Sequence, residues 1–351
     1  MPTLSYHEQK DIENIKHLRM LIKELPDFCT DFFRGIEPQT STRTRIAYAY
    51  DLRIFFEFLR QANSAIANIP YRSLPLSLLE QLTVTDLEEY LEYLKCHPSL
   101  EGADVVNTER GIMRKVASLR SFYNYFYRNQ RIEKNVAALL RMPKLHEKEI
   151  IRLEIDEIAR LLDLVEEGDQ LTEKQKIYHE RTRVRDLAML SLLLGTGIRV
   201  SECVGLNLAD VDLDACGIRI FRKGGKEAVV YFSDEVCDTL KQYVVEREQM
   251  DAFPGHEEAL FLSMQRKRIN VRSVEKLVKK YSRLVTPLKK ITPHKLRSTY
   301  GTNLYRETGD IYLVASVLGH NDVNTTKKHY AALEDERRRS ARNKVRLREE
   351  P

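Results

Sequence analysis

The chain has 351 residues, 42% of them hydrophobic, and a net charge of +5, which is long enough for two domains that each bury a core. No apolar run approaches the roughly 18 residues that argue for a membrane span, and Met1 to Glu8 carries neither the basic nor the apolar region of an export signal. A cytoplasmic protein away from the membrane is expected. The five cysteines (Cys29, Cys96, Cys203, Cys216 and Cys237) are scattered without a C-x-x-C pair, and the expectation for them is buried, reduced thiols.

In chain order, Ile12, Ile15, Leu18 and Ile22 recur at helical spacing, so residues 1–25 read as a helix closed by Pro26. A short second helix is expected from Phe28 to Ile36. Ser41-Thr42-Arg43-Thr44-Arg45 then caps an amphipathic helix with Ile46, Tyr50, Ile54 and Phe58 on one stripe. After a loop from Pro70 to Pro75, Thr85-Asp86-Leu87-Glu88 opens a helix running through Leu94. Asn107 begins the next, where Arg110, Arg114, Lys115 and Arg120 precede the aromatic group Phe122, Tyr123, Tyr125, Phe126 and Tyr127. Core packing explains most of those rings; the basic residues beside them suggest a nucleic-acid face. A short helix from Asn135 to Leu140 leads into Arg141-Met142-Pro143-Lys144-Leu145-His146, which has linker composition. The expected domains are therefore 1–145, all-helical with basic faces, and 146–351.

The second domain is expected to open with a helix from Leu153 to Val165, followed by a loop or extra helix over 166–183. Asp186 to Leu194 reads as a buried helix leading into Gly195-Thr196-Gly197-Ile198-Arg199-Val200-Ser201-Glu202. The runs Val211–Leu213, Gly217–Phe221 and Ala228–Phe232, with Arg222-Lys223-Gly224-Gly225-Lys226 between the last two, predict a hairpin. Everything from Asp234 onward reads as helical, ending in a charged tail over 334–350.

Several motifs fail on inspection. Asp210, Asp212 and Asp214 start like a calcium loop, but Ala215 stands where the turn glycine belongs and Phe221 where the closing glutamate belongs. Lys223-Gly224-Gly225-Lys226 lacks the spacing of a phosphate-binding loop. No metal, nucleotide or redox cofactor is indicated.

Charge distribution says more than net charge. Between Met264 and Arg297 there are twelve Lys/Arg and a single acid, Glu275, a bias that favours a polyanionic partner. His294 and Arg297 stand three apart, so a helix would put them on one face; Gly319 would let the backbone turn sharply before His320. Phosphoryl transfer without a metal needs fixed cations for the phosphate oxygens, a nucleophile with a base, and an acid for the leaving alkoxide. Arg199, Lys223, His294, Arg297, His320 and Tyr330 fill those roles.

These pieces, in this order, resemble the tyrosine recombinases, or phage-integrase-type site-specific recombinases, across the whole second domain. Arg43 to Leu59 and Asn107 to Leu140 are similar to that family's helical core-binding domain. The resemblance implies a mainly α fold: an all-helical core-binding domain and a mostly helical catalytic domain with a small antiparallel sheet, closed as a clamp on duplex DNA. It implies that Arg199 and Arg297 clamp the scissile phosphate, with His294 as general base. Lys223 would be the general acid, His320 a phosphate or nucleophile contact, and Tyr330 the nucleophile of a 3′-phosphotyrosyl intermediate. Glu202 would hold the Arg199 turn. DNA contacts are expected from Arg43, Arg45, Arg114, Lys115, Arg120 and Lys226, in a homo-tetramer or a hetero-tetramer with a second recombinase, needing neither ATP nor metal. In many relatives the nucleophile lies nine residues after the second histidine; here His329 stands at nine and Tyr330 at ten, about 100° further around a helix. Within the family the chain resembles the Xer group, which implies chromosome dimer resolution. Mobile-element integration is the alternative, and a silent DNA-binding relative or a type IB topoisomerase fits less well.

Overall fold

The computed structural model describes residues 6–98, 102–142, 151–222 and 225–319. The chain divides into two units, Met1–Lys148 and Glu149–Pro351. Among the described residues no helix is long and apolar enough to cross a membrane.

The first unit contains α1 (Tyr6–Lys23), α2 (Cys29–Gly35), α3 (Thr42–Ala62), α4 (Leu78–Gln81), α5 (Val84–Tyr93), strands β1 (Cys96–Pro98) and β2 (Asp104–Val106), and α6 (Glu109–Arg128). A 3₁₀ turn, Val136–Leu139, follows, capped by the Asn135 side chain. Helix starts obey capping chemistry. The Ser41 hydroxyl accepts from the Thr44 N–H at the head of α3, and Thr83 with Asp86 forms a reciprocal box at the head of α5. The caps of α5 and α6 are Thr83 and Thr108, whereas the sequence reading began these helices at Thr85 and Asn107.

Two expectations for this unit change. It is not all-helical, because β1 and β2 pair antiparallel with His97 opposite Val105. The buried face of α3 is Ala49, Leu52, Phe55, Phe56, Phe58 and Leu59; of the expected stripe only Phe58 is buried, Ile46 and Ile54 are half-buried against the core, and Tyr50 is exposed. Both stripes have helical period, and the aromatic core selects the one that carries Phe56. In that core Phe32 meets Phe122 edge to face at 5.0 Å, and Phe122 meets Phe126 at 5.1 Å, the arrangement the ring quadrupoles favour. Phe122, Tyr123 and Phe126 are fully buried, while Tyr127 is exposed.

The second unit contains α7 (Ile155–Glu167), α8 (Glu173–Glu180), α9 (Arg183–Thr196), α10 (Val200–Gly205), strands β3 (Val211–Asp212), β4 (Gly217–Phe221) and β5 (Glu227–Tyr231), then α11 (Asp234–Glu248), α12 (Val271–Val285), α13 (Pro293–Thr308) and α14 (Ile311–Leu318). The 166–183 stretch thus supplies an extra helix, α8. Helix α9 is buried nearly all round, because α7, α11 and α13 all pack on it. The sheet runs β3-β4-β5, all antiparallel, with Ile218 opposite Val230. Its inner face carries Ile218, Ile220 and Val230.

The region after Asp234 is not continuously helical. Between α11 and α12 the chain is irregular from 251 to 270 and is fastened by arginine. Buried Arg247 donates to the carbonyls of Met250, Glu257 and Ala259, and Arg268 donates to those of Val204 and Leu206. These guanidiniums satisfy carbonyls that a helix would have satisfied internally. Of the cysteines, Cys29, Cys203 and Cys237 are buried, Cys216 is half-buried and Cys96 is exposed, so the buried-thiol expectation fails at Cys96.

Candidate active site

Helix α9 ends at Gly197, whose left-handed conformation (φ 62°) breaks the helix and turns the chain. A side chain there would also collide with the Tyr300 ring, 2.5 Å from the position of a Cβ. Two residues later Arg199 precedes α10. Its main-chain N–H donates to Oε2 of Glu202 at 2.7 Å and its Nη1 donates to Oε1 at 2.8 Å. Glu202 is only 5% exposed, so its carboxylate fixes both the backbone and the guanidinium of Arg199. The structural role expected for Glu202 is the one observed.

Helix α13 begins with Pro293 at its first turn, where a missing N–H costs nothing. His294 and Arg297 lie on its first turns, one turn apart. His294 is exposed. Arg297 is 6% exposed; its Nη1 donates to the Gly197 carbonyl at 2.7 Å and its Nη2 to the Leu318 carbonyl. It therefore joins the end of α9 to the end of α14.

Helix α14 starts with Asp310 accepting from the N–H groups of Tyr312 and Leu313 and ends at Gly319, again left-handed (φ 62°). The turn expected before His320 is present. Around this end three guanidiniums take four successive carbonyls. Arg222 donates from Nη1 to Ser316 (3.2 Å) and from Nη2 to Val317 (2.7 Å), Arg297 donates to Leu318, and Arg199 donates to Gly319 at 3.4 Å. The last carbonyls of a helix lack intrahelical donors and carry partial negative charge. They hold three cations in one place that mutual repulsion would otherwise spread apart. Among the described residues two of Arg199's five side-chain N–H donors are used, in the bonds to Glu202 and Gly319, which leaves donors that can meet an oxyanion.

Lys223, His320 and Tyr330 lie outside the described residues, as do Gly224, residues 143–150 (which include most of the expected linker) and the tail. What is described flanks Lys223 closely: the Arg222 N–H donates to the Lys226 carbonyl at 2.8 Å, and the Gly225 N–H to the Arg222 carbonyl at 3.1 Å. The expected hairpin is present, and Lys226 on it is exposed.

The residues expected to contact DNA separate into two groups. Arg43 and Arg114 are exposed, Arg114 while donating to Asp51 at 2.5 Å. Arg45 and Lys115 are buried and Arg120 is half-buried, and each is engaged by partners within the chain. Arg45 is 9% exposed and paired with Glu37 at 2.8 Å. Lys115 is 7% exposed and donates to Asn107 Oδ1 at 2.8 Å. Arg120 donates to the carbonyls of Ala137 and Leu140. Burial pushes the Asp51 carboxyl up to about 6 against the opposing pull of Arg114 and Lys115, and burial pushes the Lys115 ammonium down. The run between Met264 and Arg297 forms a cleaner surface. Arg272, Lys276, Lys279 and Arg283 are exposed along one face of α12, opposite buried Val274, Leu277, Val278 and Tyr281. Their helical spacing was readable in the sequence. Arg222 carried no sequence signal at all.

Residues 152–337 match the Phage integrase family. A tyrosine recombinase XerC of Caldanaerobacter subterraneus subsp. tengcongensis is 34% identical over 99% of this chain and 92% of its own length. A tyrosine recombinase XerS of Streptococcus uberis is 32% identical over 90% of this chain and 94% of its own. Among solved structures, the XerH site-specific recombinase in a post-cleavage complex with palindromic difH substrate is similar in fold, with a TM-score of 0.64, 19% identity and coverage of 86% of this chain and 80% of that one. The Tn1549 transposon integrase in complex with circular intermediate DNA gives a TM-score of 0.61 at 18% identity, covering 89% and 99%.

Proposed function

Because this chain belongs to the phage integrase family, as a Xer-like tyrosine recombinase, we propose that its site cleaves and rejoins DNA through Tyr330. The enzyme is a site-specific DNA recombinase. In the proposed cycle the Tyr330 oxygen attacks the scissile phosphorus while His294 takes the phenolic proton. The bond to the 5′ oxygen breaks, Lys223 protonates that oxygen, and a 3′-phosphotyrosyl ester remains. Attack by a 5′-hydroxyl from the partner strand reverses the step. One ester replaces another each time, so the bond energy is conserved and no nucleotide is consumed.

The observation that carries this reading is the shared seat of Arg199 and Arg297 on the Leu318 and Gly319 carbonyls, directly before His320. Two fixed guanidiniums can hold the two non-bridging oxygens of a phosphodiester and stabilise the charge that develops there. His320 would add a donor to the phosphate or position Tyr330. The clamp on duplex DNA, the four-protomer assembly and the cytoplasmic location belong to the same proposal. So does chromosome dimer resolution, which is supported by similarity to Xer proteins over nearly the full length.

The test uses DNA recovered from cells after crosslinking to this protein. Incubated with a nicked duplex of that sequence, the enzyme should become covalently bound to the 3′ side of the break. The other side should carry a free 5′-hydroxyl that a polynucleotide kinase can label. Attachment to the 5′ side, or a 5′-phosphate product, contradicts the chemistry.

A further inference from the structure

Arg222 has no role in the scheme above, yet it stands between two of its parts. Its main chain closes the base of the hairpin turn through the Arg222–Lys226 and Gly225–Arg222 bonds. Its side chain spans two carbonyls in the last turn of α14. Its Nε is buried and has no partner, so among the described residues the carbonyls of Ser316 and Val317 alone set the guanidinium's position. Gly319 makes the approach possible, since a Cβ there would collide with Arg222 Nη1. A planar fork reaching two carbonyls is preorganised in a way that a lysine ammonium is not.

We propose that Arg222 is a positioning residue: it latches the hairpin that carries Lys223 to the end of α14 that leads into His320. This rests on the reading of Lys223 as general acid. Without the latch the hairpin stays paired through β4 and β5, but its turn is no longer tied to α14, and on that reading the acid is misplaced relative to the leaving oxygen. A misplacement of about 1 Å can cost on the order of 10²-fold in rate.

The experiment compares full-length enzyme and its Arg222→Ala, Arg222→Lys and Lys223→Ala variants on two nicked duplexes. One has a normal 5′ oxygen at the scissile phosphate and the other a 5′-bridging sulfur, whose thiolate leaves with little need of a proton. General acid catalysis supplies typically 10²–10⁴-fold. Arg222→Ala should bind DNA with an unchanged salt dependence, cleave the oxygen substrate about 10–100-fold more slowly, and recover most of that on sulfur. Arg222→Lys should fall between Arg222→Ala and the parent, since one ammonium can still reach one carbonyl, and this guards against a loss due to misfolding. Rescue of Lys223→Ala but not of Arg222→Ala overturns the latch while leaving the acid in place. Equal losses on both substrates with a flatter salt dependence would make Arg222 a phosphate ligand and also overturn it. If Lys223→Ala is itself not rescued, the acid reading fails, and the latch falls with it.

Discussion

Glu202 grips Arg199 at two points, Oε2 on the main-chain N–H at 2.7 Å and Oε1 on Nη1 at 2.8 Å. A buried carboxylate that binds an arginine this way sets where the guanidinium points and what it has left to donate. Glu202→Ala should therefore leave DNA affinity nearly unchanged and slow strand cleavage by about 10²-fold. Glu202→Gln should also be slow, because its amide turns a donor toward groups that are themselves donors. Single-turnover cleavage with each variant checks this. A rate within twofold of the parent for Glu202→Ala would show that Arg199 is held by other means.

The two groups of basic residues predict opposite behaviour. Replacing Arg272, Lys276, Lys279 and Arg283 on α12 should flatten the dependence of log affinity on log salt by about 0.9 for each phosphate no longer neutralised, with little change in melting. Lys115→Ala and Arg120→Ala should leave the slope alone and lower the melting temperature, since their partners Asn107, Ala137 and Leu140 lie within the first unit. Salt titrations and melting curves on the same proteins decide it. A slope change from Lys115→Ala would mean that its buried ammonium turns outward on DNA.

Asp51 gives a pH dependence of definite sign. Its folded pKa of about 6 lies above its ordinary value of 3.8, so between these values the folded chain keeps a proton that the unfolded chain has lost. Stability then falls as pH rises from about 4 to about 6, and the loss persists above that range. The shift corresponds to roughly 3 kcal/mol at most, with the opposing pull of Arg114 and Lys115 already contained in it. Asp51→Asn should melt higher than the parent at pH 7.5, with the gap closing on acidification toward pH 4. A gap that widens on acidification contradicts the raised value.

Much of the site could be read from the chain because its chemistry leaves spaced residues. Gly197 before Arg199, His294 one turn from Arg297, and Gly319 before His320 each mark a helix end or a helix face. The turns at Gly197 and Gly319 are left-handed as those spacings required. What stayed hidden depends on partners distant in sequence. Whether Arg45, Lys115 and Arg120 faced solvent was set by Glu37, Asn107 and the 136–140 turn, which no periodicity reveals. The strands Cys96–Pro98 and Asp104–Val106 are too short to alternate visibly, and a proline sits in one of them. Helix α3 carries apolar residues on two faces, and only the ring cluster around Phe122 chooses between them.

The central claim is that Tyr330, and not its neighbour His329, forms the bond to DNA. The direct measurement is trapping on a nicked suicide duplex by the parent, Tyr330→Phe and His329→Ala. Tyr330→Phe should bind the duplex with parental affinity and give no covalent complex, since only the attacking oxygen is gone. His329→Ala should still be trapped, and digestion of its complex should leave a peptide joined to DNA through Tyr330. Covalent complex with Tyr330→Phe, together with none from His329→Ala, would contradict the account.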